Sequence, residues 1–231
     1  MSTFFEKIQN NLPKLTFQSV HKITLKNAKK NLKFLNKGNS IIKIKNFRFK
    51  KKTKNALIVS GGPSLRIINH ISLIKKNKKR LIIISTDGSL FYLLENNIIP
   101  DLVVCLDPHP TRIIRWFGDI NLNKNKLRND NYFRSQDLDV KFKNEIITNN
   151  KVLSLTNKFG RYINVALCTS APENVVKRLV KIKSKIFWWN PFLDDVDKKG
   201  SLSEKLYNLN KLPLINSGGN VGSACWMIAA N

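Results

Sequence analysis

Cysteine, acidic residues and long apolar runs are all scarce in this chain of 231 residues. The three cysteines, Cys105, Cys168 and Cys225, lie far apart with no CxxC pair; they give no zinc signature and suit a reducing, cytoplasmic setting. Apolar stretches such as Leu81–Ile84 fall far short of the roughly 20 residues that cross a bilayer, so no transmembrane segment is expected. Residues 1–14 lack the apolar core of a signal peptide. The 15 acidic residues face 41 Lys and Arg, a net charge of +26, which ordinarily points to nucleic acid or an anionic membrane. Here 32 lysines accompany 29 asparagines and much isoleucine, as an AT-rich coding bias would produce. The basic residues form no nucleic-acid motif and have no interleaved aromatics. The expected partner is therefore a phosphate-bearing small molecule rather than nucleic acid.

What is present is enough to build a core: 13 Phe, 4 Trp, 4 Tyr and dense aliphatics exclude a wholly disordered chain. The charge is uneven, with 15 Lys and Arg and only Glu6 as an acid in residues 1–56. Residues 1–55 read as a basic N-terminal extension, peripheral to the fold, with helical turns around Phe4–Leu12 and His21–Leu35 and a final run Lys50-Lys51-Lys52. From Ala56 the pattern changes. Ala56–Ser60, Leu81–Ser85 and Leu102–Leu106 are short apolar runs, as buried parallel strands should be. Between them Leu65, Ile68 and Ile71, and then Leu90, Leu93, Leu94 and Ile98, recur at helical spacing.

Strands alternating with helices predict a Rossmann-like, three-layer α/β domain with a mainly parallel sheet over 56–231. Residues 120–150 read as an excursion from the sheet. Val152–Leu155 and Tyr162–Cys168 are candidates to return to it, and Ile186–Trp189 is a further apolar run. Ser170-Ala171-Pro172-Glu173 and Ser201-x-x-Glu204 read as capping boxes. Leu214–Asn220 repeats the strand, glycine turn and helix start, and a helix still running at Asn231 reads as C-terminal truncation.

Ligands of open parallel sheets bind at the carboxyl ends of strands, near a topological switch point. Four loops fall there: Gly61-Gly62-Pro63-Ser64, Thr86-Asp87-Gly88-Ser89, Asp107-Pro108-His109-Pro110 and Asn216-Ser217-Gly218-Gly219-Asn220. The first and last join glycines to a helix start, which suits phosphate, although tight-turn geometry alone also selects glycine. Neither is GxGxxG or GxxxxGK[ST]. Asp87 reads either as a ligand-facing acid or as a helix cap. Asp107, before a proline at a strand end, is expected in the crevice. His109 is a candidate general base or simply a solvated loop residue. The cysteines lie within apolar runs and are expected to be buried.

GGPSL at 61–65, TDGSL at 86–90, IIPD at 98–101, LDP at 106–108 and NSGGNVGSA at 216–224 together resemble the 6-hydroxymethylpterin diphosphokinase MptE-like family. That family includes motility accessory factors associated with flagellin glycosylation. The resemblance implies that Gly62, Pro63 and Ser64 contact nucleotide phosphate or ribose and that Asp107 approaches the reacting phosphate or a metal. Diphosphokinases of this kind carry a paired-aspartate motif for Mg²⁺, and two residues before Asp107 stands Cys105. The resemblance thus implies first a glycosyltransferase using a nucleotide-activated sugar, of the motility accessory factor type. Diphosphate transfer from ATP to a pterin alcohol, with Mg²⁺ at Asp107, is the second reading. A non-catalytic nucleotide-binding or interaction module is the third. No cofactor is otherwise implied, and the acceptor is a protein or a small molecule.

Overall fold

The computed structural model describes residues 21–46, 51, 53–62, 64–67, 70–112, 116–129 and 145–230. Its strands are β1 (Gly38–Ser40), β2 (Ala56–Val59), β3 (Ile82–Thr86), β4 (Leu102–Cys105), β5 (Asn164–Cys168), β6 (Lys185–Phe192) and β7 (Leu214–Asn216). The helices are α1 (21–31), α2 (Ser64–Ile67), α3 (His70–Asn77), α4 (Asp87–Glu95), α5 (Lys124–Asn129), α6 (Glu145–Phe159), α7 (Glu173–Lys181), α8 (Leu202–Asn210) and α9 (Val221–Ala230). All strand pairs are parallel, so the expected three-layer α/β domain is what forms.

Strands β2 to β6 lie side by side in chain order, with β1 beside Ile186–Trp188 and β7 beside Asn190–Phe192 of β6. Right-handed crossovers that advance one strand at a time put every crossover helix on one face. The core divides accordingly. On one face Val59, Ile83, Val103, Val165, Leu167, Ile186 and Trp188 pack under side chains from α3, α4 and α7. On the other, Ile84, Leu102, Val104, Ala166, Phe187 and Trp189 pack against Ile41 and against Ala224, Cys225 and Ile228 of α9. These residues alternate along each strand, as the pleat requires. Among the described residues β2 to β6 follow one another without reversal, and loops at their adjacent carboxyl ends lie side by side.

Three expectations change here. Residues 21–46 are not peripheral: β1 is paired in the sheet, Ile41 is in the core, and Ala28 of α1 is buried with Leu202 and Leu206 of α8. A Cβ on Gly38 would stand 2.7 Å from the Ile186 carbonyl oxygen and 2.7 Å from the Trp188 indole nitrogen, so close packing selects glycine there. Val152–Leu155 belongs to α6 rather than to the sheet; Asn149, Val152 and Thr156 are its buried residues, at helical spacing. Ser170 does not cap α7, whose N-cap is Pro172. Its hydroxyl instead meets the Cys168 thiol at 2.9 Å. Ser201 does cap α8, accepting the Glu204 N–H at 3.1 Å while Gly200 donates its N–H to the Glu204 carboxylate. Phe4–Leu12, Lys50 and Lys52 lie outside the described residues. No helix among those described is long and apolar enough to cross a membrane.

Candidate functional site

Three of the four loops singled out above converge at the carboxyl end of β2–β4. Ser89 fastens the first two, its hydroxyl donating to the Val59 carbonyl at 2.6 Å and meeting the Thr86 hydroxyl at 3.0 Å. A Cβ built on Gly61 would lie 3.6 Å from the main chain of Gly88. The start of α9 reaches the same place from the opposite face of the sheet, since a Cβ on Gly222 would lie 3.5 Å from the Ser60 hydroxyl and 3.2 Å from the Asn220 side-chain oxygen. Ser60 and Gly222, far apart in the chain, therefore face one space. Asn216, at the end of β7, turns its side chain to the Gly218 N–H at 2.9 Å, and Asn220 accepts the Ser223 N–H at 2.9 Å, so both shape the last loop. Ser217 is buried, and its carbonyl accepts the Asn220 N–H.

The glycines divide into two kinds. Gly218 and Gly219 have φ of +56° and +79°, a region L-residues rarely adopt, so turn geometry alone accounts for them. Gly61, Gly62 and Gly88 have no positive φ. A Cβ on Gly62 would meet only the Ser64 hydroxyl at 4.0 Å, and one on Gly88 would meet nothing within 4 Å. Gly88 sits in the first turn of α4, where alanine is the better helix former by up to about 1 kcal/mol. Among the described residues neither strain nor crowding calls for glycine at these three positions, and together they leave main chain bare around an open space. Ser64 begins α2, a helix of four residues, too short to add a useful dipole. Pro63 lies outside the described residues.

Two carboxylates stand beside this space. Asp87 is 3% exposed; its Oδ1 accepts the Gly88 N–H at 2.7 Å, while Oδ2 is buried with no well-formed hydrogen bond. Burial pushes its carboxyl up to about 7, against the pull of the Gly88 N–H, the nearby Cys105 thiol and the Leu106 amide, and the charge of Asp107 raises it further. Asp87 is the first residue of α4 and not its cap, which is Thr86. Asp107 accepts the His109 N–H at 2.9 Å, and the His109 side chain is exposed on the same loop. The second acid near Asp107 thus comes from the neighbouring strand end, where Cys105 on its own strand provides none. All three cysteines are buried as expected. Burial raises the Cys105 thiol well above its ordinary value and lifts Cys168 and Cys225 to about 12, leaving them inert as nucleophiles.

The sequence reading missed what holds the Asp107 loop. Asn27 of α1 donates to the carbonyls of Pro108 and Ser170, both at 2.9 Å. Asn31, one turn on and fully buried, donates to Thr169 and Ala171 at 2.8 and 2.7 Å. Asn174 donates to Pro110 at 2.9 Å. Two asparagines four residues apart on one helical face were the available signal. Asp101 of the IIPD segment is structural: its carboxylate accepts the Ile83 N–H at 2.7 Å and pairs with Lys51.

No curated protein and no solved structure gives a significant match to this chain. A family model does, over residues 24–231, which takes in most of α1 and all of β1 together with every loop of the site. The chain belongs to the family that this model describes, 6-hydroxymethylpterin diphosphokinase MptE-like.

Proposed function

We propose that this protein is a nucleotide-dependent transferase whose donor phosphates lie over Gly61, Gly62 and Gly88. The observation that carries the reading is the three glycines from two loops that no backbone strain or steric contact among the described residues explains. Bare main chain lets phosphate oxygens approach amide N–H groups, and preorganised N–H donors stabilise the charge that develops on a departing nucleotide. Ser64 and the loop from Asn216 through Ser217, Gly218 and Gly219 to Asn220 border the same ligand. Asp107 is the acid assigned to the reacting centre, taking the proton of the acceptor hydroxyl, with His109 on its loop as the second candidate. Gly62→Val places a branched side chain where a phosphate should lie. Calorimetry should then read a loss of nucleotide affinity of tenfold or more, about 1.4 kcal/mol. Unchanged affinity in a folded variant would sink the reading.

The preferred chemistry is glycosyl transfer from a nucleotide-activated sugar. With its carboxyl raised to about 7, Asp87 is a weak resident partner for a cation, which leaves the nucleotide to main-chain donors. The juxtaposition of Asp87 with Asp107 favours the second reading, diphosphate transfer from ATP. Mg²⁺ is commonly held by one or two carboxylates together with substrate phosphates and water, and Asp87, whose Oδ2 has no well-formed hydrogen bond and whose carboxyl feels the charge of Asp107, fits that role. Among the described residues no group of three or more His, Cys, Asp or Glu gathers to bind a metal. When bound, the ion would neutralise charge on the transferred phosphates. Turnover of a CMP-linked sugar in the presence of a chelator supports the first reading. ATP consumption with an absolute Mg²⁺ requirement supports the second, and nucleotide binding without turnover of either donor supports a non-catalytic module.

A further inference from the structure

The glycine loops occupy the carboxyl end of the sheet. At the amino end two turns stand side by side, Gly160–Tyr162 between α6 and β5, and residues 182–184 between α7 and β6. They are fastened together. The buried Ser184 hydroxyl donates to the Gly160 carbonyl at 2.9 Å, and the Lys185 N–H donates to the Ile163 carbonyl at 3.1 Å. A Cβ on Gly160 would stand 2.5 Å from the Cβ of Ile182, so the two turns form one close-packed platform. On it Lys158, Arg161, Lys181 and Lys183 are exposed, as is Lys37, which precedes the Gly38 paired with Ile186. Among the described residues none of the five is in an ion pair. The acids of the same elements, Glu145, Glu173 and Asp194, stand at the start of α6, at the start of α7 and beyond the end of β6. Asp101 is taken up by Lys51 and the Ile83 N–H, and Glu95 at the end of α4 pairs with none of the five.

We propose that this face docks on an anionic lipid bilayer, with the glycine loops turned to the aqueous side. An AT-rich coding bias accounts for many lysines but not for their parting from the acids along the strand direction. Helix dipoles favour cations at the ends of α6 and α7, which accounts for Lys158 and Lys181. Lys183 is different. It has φ +59° and ends α7 in a Schellman turn, with the Lys183 and Ser184 N–H groups donating to the Val180 and Leu179 carbonyls at 3.1 and 3.0 Å. Glycine is favoured at that position, so the lysine stands there against backbone strain. Nor do these cations serve the nucleotide: a five-residue strand puts about 16 Å between the two ends of the sheet, and exposed charges are screened within about 8 Å in physiological salt. Basic clusters of about four to eight residues are the size that anionic headgroups retain. Four of the five cations are lysines, whose flexible ammonium groups meet mobile headgroups without a fixed pairing geometry. Among them Tyr162 is 52% exposed, with the Arg161 guanidinium 4.7 Å from its ring centre, an amphipathic ring of the kind that sits at headgroup depth. One ring offers no row of stacking platforms for a nucleic acid strand.

The experiment measures co-sedimentation of the full chain with vesicles of phosphatidylcholine alone or mixed with phosphatidylglycerol at roughly 7:3, at low and high salt. The variants are Lys183→Gly, the triple Lys158→Gln/Arg161→Gln/Lys183→Gly, and the triple Lys198→Gln/Lys199→Gln/Lys205→Gln, which removes the same charge from exposed lysines beyond β6 and on α8. The wild type should bind the mixed vesicles and not the neutral ones, at least tenfold more weakly at high salt. Lys183→Gly should weaken binding roughly threefold or more while raising the thermal midpoint, because glycine relieves the strain. The platform triple should lose roughly thirtyfold or more, and the other triple less than threefold. Equal losses in the two triples would reduce the effect to net charge and overturn the assignment of this face. So would a wild type that leaves mixed vesicles unbound at low salt, or one that binds a single-stranded oligonucleotide through the platform and no vesicle.

Discussion

Asp87→Asn should make the protein more stable at alkaline pH and flatten its stability between pH 4 and 7. The carboxyl is held protonated to about pH 7 in the folded chain, against an ordinary value of 3.8. Below pH 4 the group is neutral in both states and contributes no difference. As pH rises the unfolded chain releases the proton first and the folded chain must follow, so stability is lost progressively until about pH 7. A shift of roughly three units corresponds to at most about 4 kcal/mol. Asparagine keeps the oxygen that accepts the Gly88 N–H but turns an amide toward the Leu106 N–H, which offsets part of the gain. The net expectation is roughly 1–3 kcal/mol at pH 8. Urea unfolding followed by tryptophan fluorescence measures it, because Trp116, Trp188 and Trp189 are all buried. The difference between variant and wild type should rise steadily from pH 4, where it is zero or slightly negative, to its full value by pH 8. A difference that stays constant across that range would refute the burial argument. A stabilised variant that has also lost turnover would mark Asp87 as an acid retained for function at a cost in stability.

Two further outcomes follow from the packing of the N-terminal segment. Asn31→Leu strands the carbonyls of Thr169 and Ala171 and should destabilise the fold by about 1–3 kcal/mol, read as a lower urea midpoint with an unchanged slope. Gly38→Ala should cost a similar amount, roughly 1–3 kcal/mol, because the added methyl meets the Ile186 carbonyl, which cannot move without breaking the β1–β6 pairing; thermal unfolding checks it, and an unchanged midpoint would return β1 to the periphery.

The buried strands were legible in the sequence because parallel strands covered on both faces must be short and continuously apolar, and Ala56–Val59, Leu102–Cys105 and Asn164–Cys168 come close to that pattern. The α9 stripe of Ala224, Cys225 and Ile228 was legible from its spacing. Other elements were not. Val152–Leu155 is too short a window to reveal its period, and only the buried positions on either side make it helical. Gly38-Asn39-Ser40 has no apolar residue to advertise a strand; its place is decided by the partner, where the Trp188 indole and the Ile186 carbonyl leave room only for glycine. The glycine loops could be named from the sequence, but whether turn strain or a ligand selects each glycine could not, because that depends on φ and on what a Cβ would touch. The Asp87–Asp107 pair and the Asn27 and Asn31 anchors were likewise beyond a linear reading. Each joins residues from different elements, and their separation is fixed by the order in which the strands lie side by side, which local periodicity does not encode.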